Sequence, residues 1–217
     1  MILAMGLLVL SRENVFATAR FLFNIQIRIM GIRLTVSGLE HIDHNRTYLI
    51  LGNHQSLFDL FVVPSAIPLC YVAVEAAYHF FIPVWGYLIR KWGNIPIHRN
   101  DLQKAIDSLE QAKKALLSGN SIIILPEGHR TRTGKIGPFK KGPFHLAKNA
   151  NADILPFAIS GLYHYNQKGS LALRPGPVHV AIGPPIPFSA FKNRSVETLR
   201  ETVRNCIMGL QHPEIPQ

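Results

Sequence analysis

The sequence predicts an α/β fold: a mixed, largely parallel sheet covered by helices on both faces, with a hydrophobic helical element at its N-terminus. Three observations predict it. Short apolar runs such as Tyr48-Leu49-Ile50-Leu51 and Ser121 to Leu125 are bounded by turn residues and read as buried strands. Between such runs lie segments with helical apolar spacing, the clearest being Leu102, Ile106, Leu109, Ala112 and Leu116. Strands and helices therefore alternate along 217 residues, a length that suits one domain with a sizeable core.

Met1 to Leu10 is almost wholly apolar, too short to span a bilayer, and lacks the basic region that would precede a signal peptide core. From Val15 to Leu34 the chain is again mostly apolar, with Arg20, Asn24 and Arg28 recurring every four residues as a narrow polar stripe. Such a helix either docks on the domain or lies in a membrane interface with its arginines at the lipid phosphates. The breadth of the apolar face favours the second, so residues 1–31 are expected to form a membrane-contacting element and residues 32–217 the α/β domain.

Ile32 to Val36 and Tyr48 to Leu51 read as strands. Leu57 to Val63 is a short helix stopped near Pro64, whose ring cannot continue it. Tyr71 to Val74 is a strand, Phe81 to Trp92 a helix, and Ile95 to His98 a short strand. The amphipathic helix from Leu102 has Asn100 or Asp101 as its cap and Gly119 beyond its end. Ser121 to Leu125 is a strand and Phe144 to Ala150 a helix. Ile154 to Ile159, Leu171 to Arg174 and Val178 to Ile182 read as strands, and Val196 to Leu210 as a closing helix.

Composition narrows the partners. Hydrophobic residues make up 47%, yet the net charge is +10, a pairing that points to an anionic membrane or a polyanion. Nucleic acid would explain the charge alone, but there is no zinc-finger spacing, aromatic RNP-like motif or heptad series. Cys70 and Cys206 both lie in apolar surroundings and read as free thiols rather than a disulfide.

The chemistry concentrates in three stretches. In Asn53-His54-Gln55-Ser56-Leu57-Phe58-Asp59 a histidine, able to act as a base near neutral pH, precedes an aspartate by five residues. On a continuous helix that spacing leaves the two about 140° apart, so they meet only if the chain turns between them. Ser56-Leu57-Phe58-Asp59 permits this as a capping box, with His54 in the preceding loop and Asp59 in the first helical turn. Asp59 then either orients His54, fixing its tautomer as in a Ser-His-Asp site, or only caps. No protein nucleophile accompanies the pair, so the nucleophile would come with the substrate.

In the second stretch, strand Ser121 to Leu125 runs into Pro126-Glu127-Gly128-His129-Arg130-Thr131-Arg132-Thr133-Gly134. Ligands of open α/β sheets sit off strand carboxyl ends, and arginine binds phosphate bidentately. Arg130, between Gly128 and Gly134, is read as a phosphate ligand, with Arg132 and Lys135 adding charge. Lys140 and Lys141 read as a solvated basic face. Glu127 bonds a substrate hydroxyl, holds an arginine, or is a turn carboxylate paired with Arg130. In the third, Gly93-Asn94-Ile95-Pro96-Ile97-His98-Arg99, a short strand again ends in an arginine. His98 and His129 are rival bases without an acidic neighbour at such short range.

Together these stretches resemble the glycerolipid acyltransferase family of the lysophosphatidate acyltransferase type. Its Asn-His-x4-Asp block is met by Asn53, His54 and Asp59, its glycine-isoleucine run ending in arginine by Gly93, Ile95, Pro96 and Arg99, and its Pro-Glu-Gly-x-Arg block by Pro126, Glu127, Gly128 and Arg130. Ile154-Leu155-Pro156-Phe157-Ala158-Ile159 is similar to the fourth block, an apolar strand with an internal proline. The resemblance covers roughly Ile32 to Pro187. His129 departs from it, standing where the family usually has threonine or serine.

The resemblance implies acyl transfer from acyl-CoA or acyl-carrier protein to the free hydroxyl of 1-acylglycerol 3-phosphate, giving phosphatidic acid for phospholipid biosynthesis. His54 is the implied base, with Asp59 orienting it. Arg99, Glu127, Gly128 and Arg130 are the implied acceptor-binding residues. Neither metal nor cofactor is implied beyond the acyl donor, and the location implied is the cytoplasmic face of a membrane. A covalent acyl-enzyme through Ser56 or Cys70 is disfavoured, since Ser56 is expected to cap and Cys70 sits in an apolar run. Other acceptors (glycerol 3-phosphate, another lysophospholipid, a lyso-ornithine lipid) and a non-catalytic module binding anionic membranes are the alternatives.

Overall fold

The structure, a computed structural model, describes residues 12–212 and Ile215; the apolar run Met1 to Leu10 lies outside them. Helix α1 spans Arg12–Ile29 and is followed by β1 (Ile32–Ser37), β2 (Tyr48–Gly52), α2 (Asp59–Ala66) and β3 (Tyr71–Ala76). A 3-10 turn, Ala77–Phe81, leads to α3 (Trp85–Trp92), β4 (Ile95–Ile97), α4 (Leu102–Leu117) and β5 (Ser121–Ile124). Then come α5 (Gly142–Asn149), β6 (Asp153–Ser160), the single turn α6 (Leu162–Tyr165), β7 (Gly176–Ile182), the short α7 (Phe188–Phe191) and α8 (Val196–Gly209).

The strands form a seven-stranded sheet in the order β1-β7-β6-β2-β5-β3-β4. Strands β6, β2, β5, β3 and β4 are mutually parallel, with Leu49 paired to both Ile154 and Ile122. Strand β7 runs antiparallel to β6 and parallel to β1, which makes the sheet mixed.

Alternation along β2 shows how both faces are filled. Tyr48 and Ile50 join a core with Phe16 and Ile27 of α1 and Val62, Val63 and Ala66 of α2. Leu49 and Leu51 face the opposite core, built from Ala112 and Leu116 of α4, Phe144 and Ala147 of α5, and Leu199, Val203 and Ile207 of α8. Cover on both faces is why β2 is an unbroken apolar run. Asp101 caps α4 by accepting the Lys104 amide, and Ser195 caps α8 by accepting that of Thr198.

Three expectations change. Helix α2 runs on through Pro64 to Ala66. The proline removes one bond near the helix end, while Val62, Val63 and Ala66 are buried beneath it and Ser65 Oγ donates to Phe61 O. Leu171 to Arg174 is irregular rather than a strand, because its side chains find no core: Leu171 is fully exposed. The helix expected from Phe81 begins only at Trp85, since Pro83 lacks an amide proton and Val84 turns at φ 63°.

Helix α1 presents two unlike faces. Its inner face docks on the domain: Phe23 packs edge-on against Phe61, and Phe16 stacks on Trp92. Arg20 belongs to that docking, donating from Nε to Ser65 O at 3.3 Å, and Asn24 turns back onto Arg20 O. The outer face leaves Phe21, Leu22, Ile25 and Ile29 exposed. Among the described residues no helix is long and apolar enough to cross a membrane.

Candidate active site

The carboxyl ends of the parallel strands form one edge of the sheet, and the site is assembled there from the segment leaving β2. Gly52 ends that strand under the ring of Phe157, where a Cβ would stand 2.2 Å from Cζ. The next side chain extends the ladder: Asn53 Nδ2 donates to Ile159 O at 2.9 Å, and its Oδ1 accepts the Ile159 amide at 2.7 Å. Pairing through a side chain satisfies β6 while the main chain of β2 turns away from it.

The turn brings His54 and Asp59 together, with Nδ1 of the imidazole 2.5 Å from Oδ2 of the carboxylate. Asp59 is the first residue of α2 and is buried. Its Oδ2 also accepts the Gln55 amide at 3.0 Å, and Oδ1 accepts the Ser56 amide at 3.1 Å. The capping box is therefore half present. The carboxylate reaches back as expected, but Phe58 is the N-cap and Ser56 Oγ donates to Asn166 O instead. A carboxylate accepting two backbone amides requires the proton on Nδ1 of His54, which leaves Nε2 as the basic nitrogen. Asp59 thus does both jobs: it organises the helix start and orients the ring. The His54 side chain is 19% exposed, open enough for a substrate proton to reach it.

The loop after β5 is bonded to this segment. The His54 amide donates to Glu127 Oε1 at 2.8 Å, and His54 O accepts the Thr131 amide at 2.9 Å. Glu127 Oε2 accepts the Gly137 amide at 2.9 Å, so both oxygens of this buried carboxylate are taken by backbone donors. Burial pushes the Glu127 carboxyl above its ordinary value, against the pull of the Gly137 and His54 amides. Glu127 forms no ion pair with Arg130. Gly128 follows at φ 76°, a conformation only glycine adopts without strain, and turns the loop, in which Arg130 is half-buried and directly precedes the Thr131 whose amide bonds His54 O. Arg130 has no carboxylate within ion-pair distance among the described residues, so its charge is available to an anion.

Arg99 lies just beyond β4, on the same edge but three strand spacings from β2, roughly 14 Å. Partial burial lowers its guanidinium pKa, against the nearby Tyr78, and it stays charged. His54, Asp59 and Glu127 are thus bonded together directly, Gly128 and Arg130 lie on the loop tied to them, and Arg99 borders the site from across the sheet. Among the described residues neither His98 nor His129 has a carboxylate neighbour, and no three His, Cys, Asp or Glu side chains are grouped to hold a metal.

Three supports escaped sequence reasoning. The Asn53 clamp on Ile159 could not be foreseen without the strand order. Gln55 Oε1 accepts the amides of Leu162 and Tyr163, fixing α6 beside the dyad. Glu75 holds His79 Nδ1 at 3.0 Å and accepts from Asn94, whose Oδ1 takes the Ala73 amide. The four-residue spacing of Glu75 and His79 was the available signal for that last group.

Comparison with known proteins identifies the family. A family model described as acyltransferase matches residues 33–160. A 1-acyl-sn-glycerol-3-phosphate acyltransferase of Cocos nucifera is 31% identical over 81% of this chain and 56% of its own. One of Limnanthes douglasii is 35% identical over 74% and 57%, respectively. The chain thus spans a little over half the length of these curated relatives. Among solved structures, the crystal structure of PlsC of Thermotoga maritima, described as a 1-acyl-sn-glycerophosphate (LPA) acyltransferase, superposes with a TM-score of 0.82. It is 26% identical, with 92% of this chain and 79% of that one covered.

Proposed function

The chain belongs to the acyltransferase family, and on that premise we propose that it transfers a fatty acyl group from acyl-CoA or acyl-carrier protein to the free hydroxyl of 1-acylglycerol 3-phosphate. The observation that carries the reading is the His54–Asp59 pair, with Nε2 of His54 left basic at the carboxyl end of β2.

His54 Nε2 takes the hydroxyl proton as the oxygen attacks the thioester carbon. Asp59 stabilises the imidazolium so formed. The C–S bond then breaks, and the proton passes from Nε2 to the departing thiolate, leaving free thiol and the new ester. General-base assistance of this kind is typically worth about 10²–10⁴-fold. Arg130 and Arg99 hold the acceptor phosphate, and Gly128 lets it approach the loop backbone. Glu127 acts through His54, fixing the backbone from which the base projects; its oxygens are already occupied. Direct transfer is favoured over an acyl-enzyme because Ser56 is buried and hydrogen-bonded, and Cys70 is half-buried against the core.

The acceptor is a lipid, so the reading includes work at an anionic membrane surface, on its cytoplasmic face. The net charge of +10 and the exposed apolar row on α1 support it. The test is thiol release from a long-chain acyl-CoA or acyl-carrier protein, with and without 1-acylglycerol 3-phosphate. Acceptor-dependent release that disappears in a folded His54→Ala variant is expected, and near-normal turnover of that variant would overturn the base assignment.

A further inference from the structure

Beyond α1, the described chain exposes a second concentration of large apolar side chains, and it lies on the edge of the sheet that carries His54. Between the end of β3 and the middle of α3, Phe81 is 81% exposed, Val84 75%, Tyr78 66% and Tyr87 59%, with Ile82 and Leu88 also open. Six such residues within eleven positions far exceed the scattered exposure usual on a soluble surface.

The local backbone presents these side chains outward. Phe80 is buried and pins the 3-10 turn to the domain, while its neighbour Phe81 points out. Gly86 packs so closely on the Phe80 carbonyl that a Cβ there would stand 2.2 Å from the oxygen. The chain between them reverses at Val84, where the Trp85 amide bonds Pro83 O at 2.7 Å and Val84 adopts φ 63° and ψ −57°. That is a γ-turn of the rare positive-φ kind, strained for any L-residue and most of all for a β-branched one. A strained turn with an apolar side chain at its exposed tip is a feature the isolated fold does not need.

We propose that Tyr78–Leu88 is a membrane-inserting element, separate from α1, whose apolar side chains enter the interfacial layer of an anionic bilayer at the carboxyl edge of the sheet. The proposal rests on the reading that the enzyme works at a membrane surface. Charge selects the occupant. Arg90 and Lys91 follow directly and are exposed, and Lys91 Nζ lies 6.0 Å from the centroid of the Tyr87 ring. Basic side chains bordering tyrosine and aliphatic residues suit a layer of anionic headgroups over acyl chains. A second copy of a chain carrying +10 would bring like charges together. The position suits the chemistry, since the segment springs from β3, between β5 with the Arg130 loop and β4 with Arg99. An acceptor drawn from the bilayer there arrives with its headgroup at the arginines.

The test uses the full chain with an environment-sensitive fluorophore at Val84→Cys, in a Cys70→Ser/Cys206→Ser background. Phosphatidylglycerol–phosphatidylcholine vesicles should shift its emission to the blue, and pure phosphatidylcholine vesicles much less. The Phe81→Ser/Val84→Ser variant should lose at least about tenfold in partition onto anionic vesicles. Val84→Gly, which relieves the strain and deletes the side chain, should also bind more weakly. Turnover of a water-soluble short-chain acceptor should not change in either variant. Unchanged emission and unchanged partition would overturn the proposal, as would a probe already shielded without vesicles, which would mean that residues 1–11 or a second copy cover the segment. If wild type turns over no acceptor, the proposed reaction fails, while emission and partition still decide the insertion.

Discussion

Replacing Asp59 by asparagine keeps the size of the side chain and changes only which bonds it can make. The carboxylate accepts three donors: His54 Nδ1–H and the Gln55 amide at Oδ2, and the Ser56 amide at Oδ1. An amide has one oxygen. With that oxygen in the Oδ2 position, His54 keeps its tautomer and the buried Ser56 amide faces an NH2 group. With the oxygen at Oδ1, the Gln55 amide is orphaned and His54 Nδ1 must accept, which moves the ring proton to Nε2 and abolishes the base. Either arrangement strands one buried backbone donor, at a cost of about 1–3 kcal/mol in stability. The backbone cost is similar for both, so a substantial share of molecules holds the wrong tautomer, and the remainder lack the charge that stabilises the imidazolium.

Turnover should therefore fall by much of the 10²–10⁴-fold, roughly, that a positioned base contributes. The assay is acceptor-dependent thiol release, with denaturant unfolding to confirm the fold and nitrogen NMR of the His54 ring to read the tautomer. Combining Asp59→Asn with His54→Ala should add little beyond His54→Ala, because the two residues act as a unit. Turnover within about threefold of wild type in a folded Asp59→Asn variant, under conditions where chemistry limits the rate, would refute the reasoning.

The other predictions are more local. Arg130→Ala should raise the acceptor KM by roughly 10–150-fold, the worth of one charged hydrogen bond at about 1.5–3 kcal/mol, with the donor KM unchanged; an effect confined to the donor would count against its phosphate role. Glu127→Gln turns an NH2 group toward either the His54 or the Gly137 amide, so stability should drop by about 1–3 kcal/mol and kcat should fall more than acceptor affinity. His179, whose ring bridges the Thr35 and Ser37 hydroxyls at 2.8 and 2.9 Å, has its pKa lowered by burial and then by His212. Its contribution is complete above the ordinary histidine value and lost as pH falls through the lower folded value, so His179→Asn should flatten the acid-side decline in urea midpoint below about pH 6.5. An identical decline in both proteins would remove His179 from the account.

The sequence carried the strands best where burial on both faces wrote an unbroken apolar run, as in β2 and β5. It carried helices where one face was apolar, as in α4 and α8. It misled at Leu171 to Arg174, because a short apolar run says nothing of whether a neighbouring strand is free to receive it. The end of α2 was misplaced because the tertiary burial of Val62, Val63 and Ala66 outweighs the local cost of Pro64. At the site, the spacing of His54 and Asp59 announced a turn, and the structure supplies one. The role of Glu127 was not legible, since a carboxylate bonded to two distant amides looks, in sequence, like any acidic residue in a basic loop. The place of Arg99 across the sheet likewise depends on strand order, which local pattern does not encode.

The backbone of His54 is held from both sides. Its amide and its carbonyl are both tied to the loop that carries Arg130, through Glu127 on one side and Thr131 on the other. A proton on the imidazole and an anion at Arg130 are then two ligands of one small rigid unit. By linkage, whatever factor the anion applies to the proton affinity of His54, the proton applies to the anion in return. An anion that draws the base toward protonation is held more tightly once protonation has occurred. The acceptor would be gripped hardest during the interval in which its hydroxyl proton resides on the enzyme, and released most readily once that proton has left with the thiol.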